Sequence, residues 1–129
     1  MLTAGALLAG LAVALGAFAA HAMKGHFEPD ALQTFETGVR YQMYHALALL
    51  LAGTLAAQGR RTGAASLAFA IGIALFSGSL YALVLLDQKW LGAVTPFGGV
   101  ALLVGWLLLA TGARVRVAHE YLEHRGPPS

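Results

Sequence analysis

The chain has 129 residues, of which 58% are hydrophobic and only 11% charged. A soluble domain carries about a quarter charged residues, so an ordinary soluble core is excluded. Cysteine is absent, which removes disulfides, thiolate metal sites and cysteine nucleophiles. The formal net charge of +2 comes from dispersed Lys and Arg beside apolar segments. That pattern fits membrane orientation and not nucleic-acid binding.

A bilayer core of about 30 Å takes about 20 apolar residues in helix. Leu2 to Ala22 is the first such run and bears no charge. It ends in Ala20-His21-Ala22, a small-x-small triplet like that at a secretory cleavage site. However, "MLTAG" lacks the basic residues that open a signal peptide, and the run exceeds the usual signal core of about 7 to 15 residues. The run is therefore expected to be kept as a first span, with His21 and Lys24 at its outer end.

"PDALQTFETGV" follows, with Asp30 and Gln33 spaced as a capping box. Leu32, Phe35 and Val39 recur at helical spacing, so a short interfacial helix is expected before the second span, its apolar face on the headgroups or on the bundle. Tyr41 to Ala57 is the second span and carries His45 one turn inside. "QGRRTG" leads to the third span, Ala64 to Leu86, and "DQKWLGAVT" to the fourth, Phe97 to Ala113. In "TPFGG", Thr95 is placed as the N-cap and Pro96 in the first turn. Gly98 and Gly99 then suit a close helix passage better than an anion site. The tail, residues 114–129, is expected to continue the last helix through "RVRVAHEYLEHR" and end in "GPPS". Long Ala- and Leu-rich runs without period-two alternation argue against strands.

The expected fold is all-α: one integral membrane domain, residues 1–129, forming an antiparallel bundle of four transmembrane helices with a short interfacial helix between spans 1 and 2. One face collects Arg60, Arg61, Arg114, Arg116 and Arg125, the other Lys24, Arg40 and Lys89. This balance places the N- and C-termini in the cytoplasm. Small residues at Gly5, Ala9, Ala12, Gly16 and Ala20, and at Ala70, Ala74 and Gly78, are expected to pack helices closely, within the bundle or against a second copy.

Polar residues gather in the outer half. His21, Lys24, Arg40, Tyr41, Gln42, His45, Ser77, Ser79, Tyr81, Asp87 and Thr95 form the candidate ligand-binding cluster. Tyr41, Gln42 and His45 share a helix face by their spacing of three and four. Polar groups facing lipid are costly, so the cluster should turn inward, with His45 bonding Tyr81 or Ser77, and Lys24 or Arg40 pairing Asp87. Plainer roles compete: a helix cap for His21, an aromatic belt for the tyrosines, snorkelling for the cations. Two histidines at similar depth could ligate haem or a metal, but no third ligand stands at motif spacing, so no cofactor or metal is expected. Thr3, Thr54, Ser66 and Thr111, in the other half, are expected to bond their own helix backbone. Walker, HExxH, nucleophile-elbow and dinucleotide motifs are absent.

Taken together and in order, "GAFAAHAMKG", "VRYQMYHALALL", "FSGSLYAL", "LGAVTPFGG" and "GW" resemble the YgdD-like proteins, small four-helix membrane proteins of unknown function found in bacterial inner membranes, with relatives in animal mitochondria. The resemblance covers nearly the whole chain. It implies that Gly16, His21, Lys24, Tyr41, Gln42, His45, Ser79, Tyr81, Thr95, Pro96, Gly98, Gly99, Gly105 and Trp106 fall on family-pattern positions, with Ala19 and Met23 departing from a usual glycine and leucine. It implies an inner-membrane location and no reaction. The function expected is that of a non-enzymatic membrane protein binding a small molecule, lipid or ion, or serving as an accessory subunit of a membrane complex. The alternatives are an oligomeric transporter or proton-conducting element, and a haem or metal protein using His21 and His45. The bilayer is the expected partner, with a homo-oligomer or larger complex beyond it and no nucleic acid.

Overall fold

A computed structural model describes residues 1–114, and these residues form helices and turns. Helix α1, Leu2–Phe18, passes directly into one π-helical turn, Ala19–Met23. Helix α2 spans Pro29–Ala57 and α3 spans Gly63–Leu85. A 3-10 turn, Lys89–Ala93, then leads into α4, Thr95–Gly112. The stretches Leu2–Met23, Gly63–Leu85 and Lys89–Gly112 are long and apolar enough to cross a membrane. The tail beyond Arg114, including the expected helix through "RVRVAHEYLEHR", lies outside the described residues.

The region expected as a separate interfacial helix is helical but not separate. α2 is one helix of 29 residues, and the expected second span is its C-terminal part. No Pro or capping residue interrupts Val39-Arg40-Tyr41, and a helix already nucleated propagates through such a junction. Phe35 is fully buried beside Ala19, Met23 and Val84, with Leu32 and Val39 packed around it. The apolar face of this segment therefore rests on other helices. The expected capping box does not form. Pro29 occupies the first helical turn, Glu28 is the N-cap, and no side chain caps the helix. Asp30 is already inside the first turn, where its charge suits the helix dipole.

Successive helices pack on one another, and their contacts run in opposite order along the two partners. Leu2 of α1 lies where a side chain at Gly53 would sit, Gly5 faces Ala46 and Leu50, and Gly16 faces Val39. Gly72, Gly98 and Gly105 similarly take up Leu102, Phe76 and Phe69 across the α3–α4 contact. A Cβ at Gly98 would run into the Phe76 backbone, so the close-passage role of this glycine holds. The small residues of α1 serve the same purpose, with Gly5 and Ala12 buried, whereas Ala20, in the π-helical turn, is exposed and packs nothing. Those of α3 do not pack within the bundle: Ala70 and Ala74 are exposed and Gly78 has open space around it.

One buried cluster joins α2, α3 and α4 through Ala48, Leu49, Ala52, Phe69, Ile73 and Leu102. The outer faces of α1, α3 and α4 stay apolar as well, with Leu7 and Leu107 each 69% exposed. Helices apolar on every side suit a surrounding as apolar as their core.

Candidate functional site

The polar residues of α2 lie on one face because Gly38, Tyr41, Gln42 and His45 recur at three and four positions. Gln42, 2% exposed, is the centre of the network. Its Nε2 donates to the Leu8 carbonyl of α1 at 2.8 Å, and its Oε1 accepts from the Tyr81 hydroxyl of α3 at 2.8 Å. One amide thus fastens three helices. The Ser77 hydroxyl donates to the Gly38 carbonyl at 2.7 Å, and the Tyr81 ring covers Gly38 while packing on Phe35 at a centroid distance of 4.8 Å.

His45 has both ring nitrogens engaged. Its Nδ1 lies 2.6 Å from the Tyr41 carbonyl, which can only accept, so Nδ1 carries the proton. Its Nε2 accepts from the Trp106 indole N–H at 3.1 Å. The expected partners Tyr81 and Ser77 are not used: these α3 hydroxyls donate to Gln42 and Gly38, and α4 supplies the Trp106 N–H to His45 instead. Phe69 completes an aromatic wedge, 5.8 Å from His45 and edge-on to Trp106 at 5.1 Å.

Ser79 and Thr95 join α3 to α4. Ser79 donates to the Phe76 carbonyl at 2.9 Å, and the two hydroxyls lie 2.6 Å apart. Thr95 is accordingly not the N-cap: it stands inside the first turn, the N-cap is Val94, and no side chain caps the helix. The preceding 3-10 turn makes a cap unnecessary, since the Val94 carbonyl already accepts the Phe97 N–H at 3.1 Å.

The remaining expected members do not join this network. His21, Lys24, Arg40 and Asp87 are exposed. The π-helical turn buries Ala19 and Met23 and leaves His21 outward, while Lys24 begins a tight loop in which Gly25 takes φ +86°. His21 is exposed, whereas both ring nitrogens of His45 are engaged inside the bundle by the Tyr41 carbonyl and the Trp106 N–H. Among the described residues no buried side-chain nitrogen or oxygen lacks a partner. In the other half, Thr54, Ser66 and Thr111 bond their own helix carbonyls as expected.

Beside the network lies a groove of about 390 Å³ between α2, α3 and α4. Tyr41, Phe76, Pro96, Gly99, Val100, Leu102, Leu103 and Trp106 line it. Tyr41, 40% exposed, stacks on Phe76 at 4.6 Å. Among these residues only Tyr41 and Trp106 carry polar side-chain atoms, and the Trp106 N–H is already given to His45. Of this groove, sequence reasoning placed only Tyr41 among the candidate residues. The signal for Trp106 was present: an indole within a Leu-rich run needs an acceptor somewhere in the bundle. Phe76 carried no such signal.

Comparison with known proteins finds relatives along most of the chain. The family described as "Protein of unknown function (DUF423)" matches residues 15–99, which contain Gln42, His45, Ser77, Ser79, Tyr81 and Thr95 and end before Trp106. "UPF0382 membrane protein YwdK" of Bacillus subtilis (strain 168) is 49% identical over 113 residues, covering 84% of this chain and 91% of that protein. A "UPF0382 membrane protein" of Haemophilus influenzae is 42% identical, covering 87% of this chain and 91% of its own. "UPF0382 inner membrane protein YgdD" of Escherichia coli (strain K12) is 41% identical, covering 84% and 87% respectively. No solved structure matches the chain.

Proposed function

The chain belongs to the DUF423 family of proteins of unknown function and is a membrane protein, and on that premise we propose that it is a non-enzymatic, four-span protein of the bacterial inner membrane that holds an apolar or amphiphilic small molecule in the groove between α2, α3 and α4. Three apolar helices and the apolar C-terminal part of α2 supply the four spans, and their reversed order of contact supports an antiparallel bundle, while the Lys and Arg balance of the sequence favours both termini in the cytoplasm. The chain has no cysteine, so single introduced thiols report this arrangement directly. A membrane-impermeant reagent added to intact spheroplasts should label Gln88→Cys and spare Gln58→Cys. Labelling of both from the same side would refute four spans.

The observation that carries the ligand reading is the division of labour between network and groove. The buried polar groups satisfy one another, so they act as fasteners and hold no vacancy for an ion. The groove, in contrast, presents aromatic rings and bare backbone at Gly99. Concave apolar sites of this size, with few polar groups, suit a ring system or a lipid chain. Native mass spectrometry of protein purified in mild detergent should reveal a retained small molecule of this class. Gly99→Leu, which fills the groove from a position where a Cβ makes only ordinary contact with Phe76, should abolish retention. Equal retention in the folded variant would count decisively against the groove. The same spectrum reads whether a second copy or another subunit accompanies the chain.

A further inference from the structure

At the opposite end of the molecule, the turn between α2 and α3 and the end of α4 bring three arginines together. α2 ends in a Schellman motif: the Arg60 N–H bonds the Leu55 carbonyl, the Gly59 N–H bonds Ala56, and Gly59 takes φ +77°. The Thr62 hydroxyl, buried, reaches back to the Ala52 carbonyl at 2.7 Å. A Cβ at Gly112 would run into the Arg61 carbonyl oxygen, so α4 ends pressed against this turn. Arg60 Nη1 also lies 3.5 Å from the Arg114 carbonyl. The backbone carrying Arg60, Arg61 and Arg114 is thus fixed, while Arg61 and Arg114 are exposed.

Among the described residues every carboxylate, Glu28, Asp30, Glu36 and Asp87, belongs to the other end, at the start of α2 or just after α3. Two of the four helices start at the arginine end and two finish there, so their dipoles largely offset one another. Among the described residues the side-chain charges therefore decide the field at this end. A cluster of guanidinium groups at the boundary of an apolar bundle matches one chemistry well: the phosphate of an anionic glycerophospholipid, which accepts paired N–H bonds while its chains lie along the exposed apolar helix faces.

We infer that Arg60, Arg61 and Arg114 form a seat for the headgroup phosphate of an anionic phospholipid. The inference rests on the chain spanning a membrane with this end at its surface, and it is independent of the groove. Adjacent guanidiniums pair with phosphate oxygens bidentately, which lysine does not reproduce.

The test uses the full chain in phosphatidylcholine nanodiscs doped with phosphatidylglycerol, followed by native mass spectrometry of the released protein. Retained phosphatidylglycerol should exceed its share of the disc, and enrichment should fall about fivefold for each of Arg61→Gln and Arg114→Gln. Arg61→Lys should recover part of the loss, and Lys24→Gln and Lys89→Gln should change nothing. Both replaced arginines are exposed, and an unchanged helical circular dichroism spectrum verifies that the variants fold. Enrichment that is absent in the native chain, or unchanged in Arg61→Gln, overturns the seat. Displacement of phosphatidylglycerol by millimolar inorganic phosphate would overturn the lipid in favour of a soluble anion. Thiol labelling at Gln58 and Gln88 decides the four-span reading separately, so failure of one is told apart from failure of the other.

Discussion

Gln42 shows how much a single amide can do where water is absent. It donates to α1 and accepts from α3, so removing it leaves the Tyr81 hydroxyl and the Leu8 carbonyl short of a partner. Interhelical hydrogen bonds in membranes contribute about 0.6 kcal/mol on average and up to about 1.7 each. Gln42→Leu should therefore cost about 1–3 kcal/mol in a reversible unfolding titration in detergent. Tyr81→Phe should cost about 1 kcal/mol, and the double variant should cost less than the sum, since both remove the same bond. Strict additivity would show that the Gln42–Tyr81 bond contributes nothing. His45 offers a spectroscopic check. The Trp106 N–H is held by His45, whereas Trp90 is 66% exposed. In detergent micelles the Trp106 indole proton should exchange markedly more slowly than that of Trp90, and His45→Phe should erase the difference. The sequence placed Gln42, His45, Ser77, Ser79, Tyr81 and Thr95 in one polar layer, and the structure buries or half-buries them there. Their pairings were not legible, because spacing fixes which residues share a helix face but not what that face meets.

At the scale of the helices, glycines separate into those that admit a neighbour and those that do not. Gly98 lies on the Phe76 backbone, so Gly98→Val must force α3 and α4 apart. Overpacking of this kind costs about 1–3 kcal/mol or more, because a backbone cannot step aside as a side-chain tip can. Gly78, with open space around it, should tolerate Ala with no loss and gain up to about 1 kcal/mol from helix propensity. Thermal unfolding followed by circular dichroism distinguishes the two, and a similar loss at both positions would contradict the packing described. The paired glycines of "TPFGG" announced a close passage, and α4 does pass closely at Gly98, whereas Gly99 borders the groove and a Cβ there would meet Phe76 only at ordinary distance. The stripe Ala70, Ala74, Gly78 offered the same within the bundle or against a second copy, and within the bundle it packs against nothing. Both patterns look alike in the chain, and only the rotation of α3 about its axis distinguishes them.

For the molecule as a whole, the helices' outer faces remain apolar, the polar network is sealed inside, and the two ends differ in charge. Sequence alone determined the class: long apolar runs with so few charges can satisfy their backbone only as helices in lipid, and the positions of Gly, Pro and charge mark where those runs end. It also located the unusual residues at one end. Only the tertiary structure decided that His21, Lys24, Arg40 and Asp87 lie outside the network, that Trp106 is the partner of His45, and that an aromatic groove lies beside it. The physical reason is that α1, α3 and α4 are apolar over most of their surface, with the few polar side chains of α3 and α4 too sparse to mark a continuous stripe. A helix without an amphipathic stripe carries no local signal of which face turns inward, so its rotation is set by the packing of small residues against large ones across neighbouring helices.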